Sequence, residues 1–196
     1  TMIIVLTVPG NEDMVKECVD SIIENTTELN YGLFLYKHDY KGFAVGMNEG
    51  IKTMLGRDYD SCVLVSDDVV ITQKGWLSEF RVVAQNNKNN GIIAPNGDMR
   101  DNDHVGFYCV FITRSCIDSI GLLDEQFKYG EWEDVDYCCR AVQAGFKLGV
   151  IDKPLCIHKE SVTMKKHSGE QKEEVVKNKE RFKKKWKGTE LKRKWN

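Results

Sequence analysis

Short aliphatic runs alternate along the chain with segments whose apolar residues recur every three or four positions. Met2 to Val8 is a nearly continuous apolar run that stops at Pro9-Gly10, the pattern of a strand covered on both faces. Asn11-Glu12-Asp13 then opens a segment with Met14, Val15, Cys18, Val19, Ile22 and Ile23 at helical spacing, which predicts strand, loop, helix. Tyr31 to Tyr36 reads as a second strand, Met47 to Leu55 as a short helix, and Val63 to Val65 as a third strand that resumes through Ile71. Further on come a helix from Gly75-Trp76-Leu77 to about Gln85, strands at Ile92 to Ala94 and Phe107 to Thr113, and a short helix from Arg114 to Ile120. A helix from about Glu133 to Ala144 follows, stopped by Gly145, and Leu148 to Ile151 is the last core strand. Strands alternating with helices argue for a mostly parallel sheet with right-handed crossovers, in three layers. From Gly169 onward, Val175, Lys179, Phe182 and Trp186 fall at steps of four, three and four, an amphipathic helix whose aromatic side packs.

Composition narrows the class. At 196 residues, 41% hydrophobic and 30% charged, the chain matches one soluble domain, or one domain with a tail. No apolar stretch reaches the length of a membrane span, and no secretory signal is visible. The seven cysteines are scattered and lack a CxxC pair, so they read as small buried hydrophobes in a reducing, cytoplasmic setting. A net charge of −2 conceals an asymmetry: residues 165 to 196 carry 13 Lys/Arg against 5 Asp/Glu. The expected division is therefore an acidic body, 2–164, and a basic helical tail, 165–196. Such a tail can meet nucleic acid or another polyanion, but it is more simply a solvated helix face.

The run Val63 to Ile71 drives aliphatic residues into two adjacent carboxylates, Asp67 and Asp68. Ligands collect outside the carboxyl ends of strands in open α/β sheets. A hard divalent cation there would relieve the repulsion between two carboxylates and keep positions open for phosphate. The pair alone is equally compatible with a turn held by Asp hydrogen bonds.

Three more stretches join it: Gly42-Phe43-Ala44-Val45-Gly46-Met47-Asn48-Glu49-Gly50, Trp132-Glu133-Asp134-Val135-Asp136, and Ile157-His158-Lys159-Glu160-Ser161. With Gly106 to Thr113, Gly121 to Phe127 and Asp134 to Gly145, their order and spacing resemble glycosyltransferase family 2 over roughly residues 3 to 160. The resemblance implies a GT-A fold, a three-layer α/β/α arrangement with a mostly parallel central sheet and a Rossmann-like nucleotide-binding half. It also implies transfer of a sugar from a nucleotide diphosphate, UDP favoured, with Mn²⁺ or Mg²⁺. In the family's Asp-x-Asp metal motif, Asp68 falls on the last position, the direct ligand. Ser66 stands where the first acidic or amide residue is usual, a departure that Asp67 would help offset. His158 matches the histidine that often completes the metal site.

A cation on the leaving diphosphate stabilises the charge that develops there, and a carboxylate near the acceptor hydroxyl serves as general base. By the resemblance Asp134 is that base and Glu133 orients the acceptor or the base. Asp136 supports the helix start or the sugar pocket. One base opposite the leaving group implies a single displacement with inversion. Thr7, Val8, Pro9 and Asn11 match the loop beneath the nucleotide base, and Asp39 is the remaining contact for base or ribose. The Gly42 to Asn48 turn is expected along the ribose and diphosphate, with Gly46 allowing close approach and Asn48 supplying a hydrogen bond. Trp132 can stack on a sugar or simply pack.

Two other classes compete. A catalytically weak sugar-nucleotide or glycan-binding module is favoured by Ser66 and the short loop after the second strand. A nucleotidyltransferase is disfavoured, since no Gly-rich loop followed by Arg and Lys lies near the N-terminus. The acceptor is expected to be a hydroxyl on a glycan, protein or small molecule, with nucleic acid left open by the basic tail.

Overall fold

A computed structural model describes residues 1–37, 42–100, 104–159 and 169–189. In chain order they form β1 (Met2–Thr7), α1 (Glu12–Asn25), β2 (Gly32–Lys37), α2 (Phe43–Leu55), β3 (Ser61–Ser66) and β4 (Val69–Ile71). There follow α3 (Trp76–Asn86), β5 (Asn90–Ala94), β6 (Cys109–Thr113), α4 (Arg114–Ile120), α5 (Glu133–Gln143), β7 (Lys147–Val150), β8 (Cys156–His158) and α6 (Gly169–Lys185).

Six strands make one sheet in the order β2-β1-β3-β6-β5-β7. The pairs β1/β2, β1/β3 and β5/β7 are parallel, whereas β6 is antiparallel to both β3 and β5. The sheet is thus mostly parallel, with one reversed strand beside the centre. A two-stranded antiparallel ladder, β4/β8, stands apart from it.

Strand side chains alternate between faces, and both faces are apolar. Ile4, Leu6, Cys62 and Leu64 point toward α2, α4 and α5, where Met47, Ile51, Met54, Cys116, Tyr137 and Ala141 cover them. Ile3, Val5, Val63 and Val65 point the other way, against Cys18 and Ile22 of α1 and Trp76, Leu77 and Phe80 of α3. Two apolar faces under two helical layers account for the continuous aliphatic runs in the sequence. All seven cysteines are buried and free. Among the described residues no helix is long and apolar enough to cross a membrane.

α2 begins at Phe43, four residues before the expected start, with Gly42 as its N-cap at φ 120°. The glycines that suggested a turn are taken into the helix because tertiary contact rewards them. A Cβ on Gly50 would lie 2.3 Å from Cγ2 of Ile4, so α2 sits on β1 at a distance only glycine permits. α6 packs through Phe182 and Trp186 on a small cluster with Phe127, Val135 and Cys139, and Trp132 leans against it.

Candidate active site at the carboxyl ends of the strands

β3 ends at Ser66, and Asp67-Asp68 form the turn into β4. The turn lies beside the end of β1, because β1 and β3 are parallel neighbours in register through Leu6 and Ser66. The Val8 amide (3.1 Å) and the Asn11 side-chain amide (3.3 Å) both donate to Oδ2 of Asp67. Burial pushes the Asp67 carboxyl up, and the bonds from Val8 and Asn11 oppose that shift. Asp67 therefore ties the loop after β1 to the turn after β3.

Asp68 is 6% exposed, and its Oδ1 lies 3.3 Å from Nε2 of His158. That approach lacks hydrogen-bond geometry, so Oδ1 is a buried carboxylate oxygen without a hydrogen-bond partner. The β4/β8 ladder creates the meeting. It pairs Val69 with His158, and the Lys159 amide donates to the Asp68 carbonyl at 2.9 Å. The imidazole stacks flat on Tyr108, ring centroids 4.5 Å apart and planes 5° from parallel. Tyr108 was not foreseen; its carbonyl accepts from the Ser66 amide at 2.8 Å, which holds it beside the turn.

Among the described residues, no three His, Cys, Asp or Glu side chains converge on one point. A cation held here would have Asp68 and His158 as protein donors. An unpartnered carboxylate oxygen beside an imidazole nitrogen suits that role. Mg²⁺ and Mn²⁺ sites that also recruit phosphate and water commonly use so few protein donors.

The second group of carboxylates opens α5. Four consecutive residues before it have left-handed backbone: Tyr129 (φ 64°), Gly130 (117°), Glu131 (65°) and Trp132 (76°). Left-handed φ costs a non-glycine residue about 1–2 kcal/mol, so the three non-glycine positions persist only because their surroundings hold them. Glu133, Asp134 and Asp136 all sit in the first turn of α5, where the helix dipole favours negative charge. Oε2 of Glu133 is buried without a hydrogen-bond partner, and Oδ1 of Asp134 accepts from the Val135 amide at 2.8 Å. Burial, reinforced by the Asp134 charge, pushes the Glu133 carboxyl well above the ordinary range. Burial also raises Asp134, against the pull of His104 and Arg100. His104 itself is lowered by burial and raised by Asp134. It was not anticipated either. No local pattern distinguishes it, since it lies in the polar, turn-rich stretch whose residues 101–103 are outside those described.

The other expected residues divide. Thr7, Val8 and Pro9 line a cleft of about 370 Å³ together with Glu12, Lys16 and Lys37. Ser66 is half-buried at the end of β3. Asp39 lies outside the described residues, as do Glu160 and Ser161. Asn48 and Gly46 are buried inside α2. The Asn48 amide donates to the Leu123 carbonyl and to Glu125, both at 2.9 Å, and its oxygen accepts from the Leu123 amide at 2.9 Å. Its hydrogen bonds pin the 121–125 turn. Asp136 is 0% exposed, and its oxygens serve Arg140, Lys185 and Trp186. These contacts tie the first turn of α5 to α6. Trp132 packs on Phe182 at 5.1 Å with Lys179 over its ring at 5.9 Å.

A scan against family models and a search of curated protein sequences return no match. Solved structures do match in shape. The catalytic domain of Drosophila β1,4-galactosyltransferase 7 in complex with xylobiose aligns with TM-score 0.62 and 15% identity over 90% of this chain and 79% of that one. The mannosyltransferase PcManGT from Pyrobaculum calidifontis, in complex with GDP-Man and Mn²⁺, aligns at 0.64 and 11% over 82% of this chain and 57% of that one. S. aureus TarS aligns at 0.65 and 12% over 98% of this chain and 41% of that one. The chain thus spans about half the length of the last two. A second structure of the Drosophila enzyme, an Asp-to-Asn mutant, holds manganese, UDP-Gal and xylobiose.

Proposed function

With the GT-A fold of the glycosyltransferases as premise, we propose that this protein is a metal-dependent, inverting glycosyltransferase that moves a sugar from a nucleotide diphosphate, UDP favoured, to a hydroxyl acceptor. The observation that carries the reading is the buried Asp68 oxygen, without a hydrogen-bond partner, facing His158 beyond the central strands, on a fold whose solved neighbours include nucleotide-sugar complexes.

Thr7, Val8 and Pro9 offer the base a cleft with an apolar wall from Val15, Val19 and Leu35, and Asp67 holds their loop in place through Val8 and Asn11. Asp39, Ser66 and the α2 N-terminus with Gly46 remain candidates for ribose and phosphate. A divalent cation on Asp68 and His158 would neutralise charge on the leaving diphosphate. Asp134 accepts the proton of the acceptor hydroxyl as its oxygen bonds the anomeric carbon. The bond from that carbon to the phosphate oxygen breaks on the opposite side, its electron pair leaving with the diphosphate. The raised carboxyl of Asp134 makes it a stronger base than an exposed aspartate. Glu133, raised further, keeps its proton to higher pH and can donate a hydrogen bond. Two carboxyl groups with separated tasks suit one base and one orienting group. Trp132, next to them in sequence, is the aromatic candidate for the acceptor side.

Calorimetric titration of UDP, GDP, dTDP and CDP with and without Mn²⁺, on wild type and on Asp68→Ala, tests the donor site. Metal-dependent binding of one nucleotide, lost in Asp68→Ala, is expected. A folded protein that binds none of the four refutes the reading.

A further inference from the structure

Among the described residues, Asn178 is a fully buried polar side chain on α6, in a helix otherwise rich in exposed lysine. Its amide nitrogen directs two N–H groups, one of them shared, at three carbonyls of one loop: Lys128 at 2.9 Å, Gly130 at 2.8 Å and Glu131 at 3.2 Å. The orientation of the amide follows from its other end. Arg181 donates to Oδ1 of Asn178 at 2.7 Å and is itself paired with Glu174, so oxygen must face Arg181 and nitrogen must face the loop. The loop so gripped is the left-handed run at 129–132. Gly42 also stands against it, where a Cβ would lie 3.0 Å from the Tyr129 amide nitrogen. Glu133 and Asp134 lie two and three residues beyond the last gripped carbonyl.

We infer that Asn178 is a positioning residue for the carboxylates of the site: by satisfying the carbonyls of the 128–131 loop it holds the left-handed backbone that aims Glu133 and Asp134. α6 is then a part of the active-site wall, not an appendage. Hydrogen bonds to three carbonyls of one loop are more than packing of a helix requires. Phe182 and Trp186 already supply the apolar contact, and a leucine at 178 would pack as well. An amide is needed because the carbonyls of Lys128, Gly130 and Glu131 lie in a loop, outside helix and strand, and take their donor from this side chain. The role of Asp134 as base rests on the proposed function; the placement of its side chain does not.

The test uses the full chain with Asn178→Ala and the near-isosteric Asn178→Asp, which sets a carboxylate against three carbonyls. Val176→Ala, on the exposed side of α6 at 69% exposure, is the control. Amide hydrogen exchange at 129–134 is expected to speed up by at least about tenfold in both Asn178 variants, with β1 and β3 unchanged. The Asp134 carboxyl carbon, followed by NMR, is expected to titrate lower than in wild type as the side chain becomes solvated. Nucleotide diphosphate affinity with Mn²⁺ should hold while kcat falls by about 100-fold, the cost of a small displacement of a reacting group. Exchange and Asp134 titration that stay as in wild type, even with a lower Tm, overturn the inference. So does a loss of nucleotide binding in step with kcat, which would make α6 a prop for the whole domain. Should the wild type transfer no sugar at all, the proposed function falls, while exchange and titration still decide the role of Asn178.

Discussion

Replacing Asp136 by alanine removes the joint between α5 and α6. The carboxylate is 0% exposed. Its Oδ2 accepts from Nε of Arg140 at 2.9 Å, and its Oδ1 from the Trp186 indole at 2.9 Å and from Lys185 at 2.8 Å. Removing one partner of a buried ion pair costs about 3–5 kcal/mol, because the other charge is left without compensation. The lower end applies here. Arg140 keeps the carbonyls of Ile120 and Leu122 as partners, and Lys185 keeps Asp124 and is 36% exposed, so it can rehydrate. The indole loses its partner inside the Phe182 cluster, adding about 1 kcal/mol. A net loss of about 3–4 kcal/mol corresponds to a fall in Tm of roughly 6–16 °C for a domain this size. Asp136→Asn keeps an acceptor for the indole and loses only the charge, so its loss should be no more than about half as large. Urea unfolding followed by tryptophan fluorescence and by circular dichroism measures both. An Asp136→Ala midpoint at the wild-type value, or equal losses for the two variants, would refute the assignment of Asp136 as a buried anchor.

Two further outcomes follow from the same geometry. Glu133→Gln should raise stability at pH 8 and give no gain below the ordinary glutamate value of 4.5: a carboxyl raised on folding contributes stability below that value and loses it as pH rises through its folded one. Thermal melts of both proteins at pH 4 and pH 8 check the sign, and a stability difference independent of pH would contradict the raised carboxyl. Gly50→Ala should destabilise by about 1–3 kcal/mol, since the new methyl would enter the space of Ile4; a urea midpoint equal to wild type would show that α2 and β1 separate without cost.

The layers of the fold were legible because burial is written into local pattern. Aliphatic runs marked β1 and β3, and 3.6-residue spacing marked α1 and α5. The direction of β6 was not legible. An antiparallel strand covered on both faces has the same composition as a parallel one. The strand that resumes after the Asp pair was read through Ile71, but its pairing with β8, three residues on each side, was not. The Asp pair, Glu133-Asp134 and His158 were noticed as chemistry, and the family resemblance assigned Asp68 and His158 to one cation; the short ladder that brings the two together was not foreseen.

What the sequence by itself determined is where apolar surface lies, and with it three layers, the end of β3 in two carboxylates, and an acidic first turn on α5. These are consequences of residues within a few positions of each other. Only the tertiary structure decided the tasks of the polar side chains. Asn48 and Asn178 look alike in sequence, each an asparagine in a helix. One holds a turn 75 residues later and the other a left-handed loop about 50 residues earlier. A hydrogen bond discriminates by direction and distance at a few tenths of an ångström, and that precision arises only once hydrophobic burial, which is indifferent to direction, has brought distant segments together.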